Sequence, residues 1–140
     1  MEIGIEALKR QGDPPSMAFI YAVNSEFVID PFDFSDKPKS KKLLKKIAKK
    51  NKANMVIAIM PTLISKMSGS LSSHPYYLKK GIFAYGETKS DGFGICQEYE
   101  CDNNGQIVLG NRIFFPAGKG TMTGFLCRKL DLKEQVATIV

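Results

Sequence analysis

His74 is the only histidine in the chain, and it stands in Ser72-Ser73-His74-Pro75-Tyr76-Tyr77. An imidazole beside hydroxyls has the groups for a general base and a nucleophile. A catalytic triad needs a serine that the fold holds apart from its base, and a carboxylate to orient that base. Sequence neighbours rarely meet that geometry, and no Gly-x-Ser-x-Gly turn is present. Cys96, Cys101 and Cys127 are the cysteines. Cys96 and Cys101 are separated by an odd number of positions in one expected strand, so they face opposite ways and cannot share an ion without a bulge between them. With no Cys-x-x-Cys and a single histidine, the tight ligand spacing of a structural zinc site is missing. Reduced, buried thiols are expected, and no metal or cofactor.

Asp30, Asp33 and Asp36 recur every third residue in DPFDFSDKP. Oxygen ligands at such spacing could hold a hard cation. Pro31, Phe32, Phe34 and Pro38 among them point instead to an irregular connection that ends in a helix cap. Gly118-Lys119-Gly120-Thr121 has a superficial phosphate-loop look. A phosphate loop requires a glycine five residues before the Gly-Lys pair and Ser or Thr directly after the lysine. Ile113 and Gly120 occupy those positions, so the motif is rejected.

Lysine is the most abundant charged residue. Seventeen Lys and three Arg (Arg10, Arg112, Arg128) give a net charge of +6. Arginine is the residue suited to bidentate recognition of bases and phosphates. A lysine excess therefore fits a solvated surface first, and contact with a polyanion second. Much of it falls in residues 38–51, a helix expected from the stripe Leu43, Leu44, Ile47 and Ala48. Asp36 is a suitable N-cap, Pro38 belongs in the first turn, and Asn51 can end the helix.

The other elements follow from similar signals. A short helix is expected over residues 3–11, stopped by Gly12 and Asp13-Pro14-Pro15. Residues 17–23 and 26–30 read as a hairpin. The apolar run 54–60 reads as a strand covered on both faces. Residues 61–67 are expected to start a short helix, and 68–77 a polar loop. Asp91-Gly92 and Asn104-Gly105 are favoured hairpin turn pairs and divide 81–115 into three strands. Two-residue turns there would set Ala84 opposite Tyr99 and Ile95 opposite Phe114. One face then holds Ile82, Ala84, Ile95, Tyr99, Val108 and Phe114. The other mixes Phe83, Tyr85, Leu109 and Ile113 with Glu87, Glu98 and Glu100. Residues 121–127 are a further expected strand, and the tail 131–140 ends apolar.

Residues 54–115 resemble a widespread, uncharacterised family of small bacterial, archaeal and phage α+β proteins. The likeness rests on ANMVIAIM, SSHP and GIFAYGETKSDGFGICQEYE with Gly86-Glu87 in place, and on the preceding PFDF and lysine helix. Pro61-Thr62-Leu63-Ile64 stands where that family often has Ser-Glu-Ala-Trp. Tyr76 and Tyr77 stand where it often has a basic residue. The resemblance implies a layout of elements and no activity.

The expectation is one α+β domain spanning 1–140. An antiparallel meander sheet carries the Lys-rich amphipathic helix on one face. The first function to consider is a non-enzymatic binding or interaction module. The alternatives are a small hydrolase-like enzyme using His74, or a polyanion (nucleic acid) binder using helix 38–51. Long polar loops concentrate function, so the candidate site combines Ser73, His74, Tyr76, Tyr77 and Glu87. The N-terminus lacks a secretory pattern and no apolar run is long enough to span a bilayer, so a cytoplasmic protein is expected. A homodimer is expected from the apolar residues left on the second sheet face.

Overall fold

A computed structural model of the chain describes residues 1–65 and 78–116. Helix α1 spans Glu2–Gln11 and ends at Gly12, whose φ of 85° is left-handed and whose N–H reaches the Leu8 carbonyl. Only glycine adopts that conformation readily. Strands β1 (Met17–Ala22) and β2 (Ser25–Ile29) form a hairpin. Phe32 and Phe34 follow, buried and packed ring to ring at 4.7 Å. Helix α2 spans Lys37–Lys50. The Asp36 carboxylate caps it by accepting from the Lys39 N–H at 3.2 Å. The Ser40 hydroxyl donates to the Asp33 and Asp36 carbonyls. At its far end the Asn51 side chain donates to the Ile47 carbonyl.

Strands β3 (Ala53–Ser65), β4 (Leu78–Thr88), β5 (Gly92–Cys101) and β6 (Ile107–Pro116) form a meander. Among the described residues the sheet is antiparallel and six-stranded, in the order β2-β1-β3-β4-β5-β6. The fold is therefore α+β, with β3 central as its apolar run implies. Leu44 and Ala48 of α2 pack with Ala18, Ile20, Val56, Ala58, Met60 and Tyr85 on one face. Ile5 and Leu8 of α1 pack with Ile59, Ile82, Ala84 and Tyr99 on the other.

Three local expectations are corrected. The segment expected to turn helical after Met60 continues β3 through Ser65, paired to β4. Pro61 is tolerated there because the last β1 pair is Met17 with Ile59. Beyond it, among the described residues, that flank of β3 has no ladder in which a missing N–H would count. The β4–β5 turn is Lys89-Ser90, not Asp91-Gly92: Glu87 pairs with Gly92, and the Thr88 N–H donates to the Asp91 carbonyl at 2.8 Å. The Thr88 hydroxyl accepts from the Asp91 N–H. This register sets Gly94 opposite Tyr85 and Gly92 opposite Glu87, leaving room for both bulky side chains. It also brings Lys79 to Glu100 at 3.0 Å. The expected register would have put Glu98 opposite Tyr85.

The third correction is Val108. Asn103-Asn104-Gly105 is a three-residue loop with left-handed Gly105, and the Asp102 carboxylate accepts from the N–H groups of Asn104 and Gln106. That loop shifts the inner register by one. A bulge between Gln97 and Tyr99 restores it, so Ile95 still meets Phe114. Strand alternation then moves Val108 to the α2 face, and moves Leu109 to the α1 face with Tyr99. Gln97 holds the bulge: its amide donates to the carbonyls of Glu98 and Gly110, and its oxygen accepts from Arg112 Nε at 2.9 Å.

Candidate functional site

Of the five residues expected to form a site, Ser73, His74, Tyr76 and Tyr77 lie outside the described residues, as do the segments 121–127 and 131–140. Glu87 lies in β4. It was expected on a partly covered face, yet it is 1% exposed, and its carboxylate accepts from the Tyr85 hydroxyl at 2.7 Å. Glu98 is also buried. Glu87 lies nine positions along β4 from Leu78, where the 66–77 segment joins the sheet. At the rise of an extended chain that is roughly 30 Å.

The α1 face carries a cleft of about 330 Å³ at the end of the sheet holding the β4–β5 turn. Met1, Met55, Ile57, Gly86, Phe93 and Ile95 line it, with Thr88 and Asp91 at its polar end. Beside it Phe93 and Phe114 are 48% and 57% exposed, with ring centroids 5.8 Å apart. The Thr88 hydroxyl is tied to the Asp91 backbone across the turn, and the Glu87 side chain points to the opposite face with Tyr85.

The second surface is the outer side of α2. Ser40, Leu44 and Ala48 are buried, so the apolar side of the helix is filled by the sheet. The opposite side carries Lys39, Lys42, Lys46, Lys49 and Lys50, all exposed. At 100° per residue these five fall within an arc of about 100°, along roughly 16 Å of axis. The stripe leaves out Lys41 and Lys45, which sit on the flanks and have interactions of their own. Among the described residues no acidic side chain pairs with the stripe. Asp33, before the helix, has its carboxyl held below the usual range, first by the Ser35 hydrogen bonds and then by Lys39 and Lys37.

Helix α2 holds eight lysines and no acidic residue, in a chain whose net charge is +6. The remainder of the molecule is therefore net acidic, and the positive charge is focused on one helix. Composition could not show this, because it counts charges without placing them. The outward stripe was nevertheless readable from the lysine spacing once the apolar side of the helix was known.

Among the described residues no helix is long and apolar enough to cross a membrane. No protein-family model, no curated protein and no solved structure matches the chain.

Proposed function

We propose that the protein is a cytoplasmic, non-enzymatic binding module whose working surface is the lysine stripe of α2 and whose ligand is a polyanion. The observation that carries this reading is the placement of eight lysines on a helix with no acidic residue, the exposed stripe lacking ion pairs among the described residues. Lysines at i, i+3 and i+4 repel one another, and those near the helix N-terminus also oppose its dipole. A bound polyanion relieves both penalties. A helix whose only task was to cover the sheet would lose nothing by mixing in glutamates. The hydrolase alternative is less well supported, because Glu87, its orienting carboxylate, is buried on Tyr85.

Retention on immobilised heparin tests the proposal. Elution should require salt well above physiological strength, and Lys42→Glu should elute at lower salt. Elution of the native protein at low salt would remove the reading.

Self-association is a second reading, favoured by one observation. Phe93 and Phe114 expose a paired aromatic surface beside an apolar cleft. Exposed apolar patches commonly mark interfaces, and two-fold dimers are the commonest oligomers. A homodimer should scatter light at twice the monomer mass of 15.5 kDa. Mutation of Phe114 to Ser should return that mass to the monomer value. A native protein already at the monomer value ends this reading.

A further inference from the structure

We propose that the polyanion recognised by α2 is double-stranded nucleic acid, gripped through its phosphates without regard to sequence. This inference rests on the polyanion-binding reading above and narrows it.

Three features of the stripe select this partner. The first is charge density. Lys39, Lys42, Lys46, Lys49 and Lys50 extend along roughly 16 Å. A duplex presents one phosphate per ~1.7 Å of its axis, twice the density of one of its strands. Roughly ten phosphates of the two strands fall within that length, and those on the near side come from both strands, so each amine has a choice of partners. The second is that α2 itself carries no stacking platform. Single-stranded nucleic acid is held largely by bases stacked on aromatic rings. Helix α2, KPKSKKLLKKIAKK, has no aromatic residue, and Phe34, just before it in the chain, is buried. The third is the lack of base-reading groups on the exposed side. It offers neither arginine nor asparagine nor glutamine, the side chains that recognise base edges bidentately. Point charges on flexible stems position a protein on the backbone and carry no sequence information.

An anionic membrane fits less well. Interfacial helices bury an apolar side among the lipids. The apolar side of α2 is occupied by the sheet through Leu44 and Ala48, and only Leu43 projects beside the stripe. Nothing on the outer side is available to insert.

Fluorescence anisotropy on the full chain tests the proposal. The probes are two 20-base-pair DNA duplexes of unrelated sequence, one of their single strands, and vesicles containing phosphatidylserine. Both duplexes should bind with the same affinity within about twofold. Five lysine–phosphate contacts predict that log affinity falls against log salt with a slope of about 4.5. The single strand and the vesicles should bind at least tenfold more weakly than the duplexes. The triple variant Lys42→Glu/Lys46→Glu/Lys49→Glu should lose duplex binding. The triple Lys→Gln variant at the same positions, its fold checked by circular dichroism, should reduce the slope by about 2.7. Single-strand binding equal to or tighter than duplex binding overturns the inference, as does tighter binding to vesicles. A sequence preference above tenfold, or a triple Lys→Gln variant with unaltered slope, also overturns it. Heparin retention without duplex binding would defeat this inference alone. Loss of both would defeat the polyanion reading with it.

Discussion

Replacing Lys42 by glutamate should make the protein more stable while weakening its binding. Lys42 neighbours Lys46 at i+4, Lys45 at i+3 and Lys39 at i−3 on the exposed side of α2. Each like-charge pair at such spacing destabilises a helix by about 0.2–0.5 kcal/mol, and each opposite pair stabilises it by a similar amount. Lys42→Glu removes three repulsions and installs three attractions. Glutamate N-terminal to Lys46 at i+4 is moreover the favoured orientation. The ideal sum is about 1–3 kcal/mol. Exposure and mobile lysine stems place the expectation at the lower end, about 1 kcal/mol. Urea is the appropriate denaturant because it leaves ionic strength unchanged. With a slope of about 1–3 kcal/mol per molar, the midpoint should rise by roughly 0.3–1 M at low salt. In 1 M sodium chloride, where screening acts within about 3 Å, the gain should largely vanish. A variant that is less stable at low salt, or whose gain survives 1 M salt, would refute the claim that the stripe is a field of unrelieved repulsion. The opposite movement of stability and heparin affinity is what separates a binding surface from a merely solvated one.

Leu44→Ala should destabilise by about 2–5 kcal/mol in urea unfolding, because Leu44 is fully buried between α2 and the sheet. Gln97→Leu should cost about 1–3 kcal/mol by leaving the Gly110 carbonyl and Arg112 Nε without this partner. Amide exchange should quicken selectively around the β5–β6 bulge. Burial, aided by Glu98, pushes the Cys96 thiol up to about 11 from 9.0. Alkylation at pH 8, read by site-resolved mass spectrometry, should therefore modify exposed Cys101 and spare Cys96. Since the unfolded thiol ionises near 9.0 and the folded one does not, Cys96 contributes stability that is complete below pH 9 and lost as pH rises towards 11. Cys96→Ala should flatten that part of the stability–pH curve.

Local signals in the sequence determined much of this protein. The α2 boundaries follow from Asp36, Pro38 and Asn51, whose capping chemistry acts within a few residues of itself. The end of α1 follows from Gly12, for the same reason. The hydrophobic run 54–60 identified the central strand, and period-two alternation assigned Ile82, Ala84, Ile95, Tyr99 and Phe114 to one face. That assignment survived a wrong turn, because moving the β4–β5 turn to Lys89-Ser90 changed the register by an even number of positions. The tertiary structure decided what depends on partners distant in the chain. The β4–β5 register answers to Gly92 and Gly94 making room for Glu87 and Tyr85, and to Lys79 meeting Glu100. The face of Val108 answers to a bulge held by Gln97. Pro61 stays in a strand because β1 stops short of it. Glu87 reads in sequence as a candidate site residue on a partly covered face, and the packed sheet buries it against Tyr85. The lysines and the apolar side of α2 were visible from the outset; that the outward lysines have no ion pair among the described residues was not, because it depends on which acidic side chains the fold brings near them.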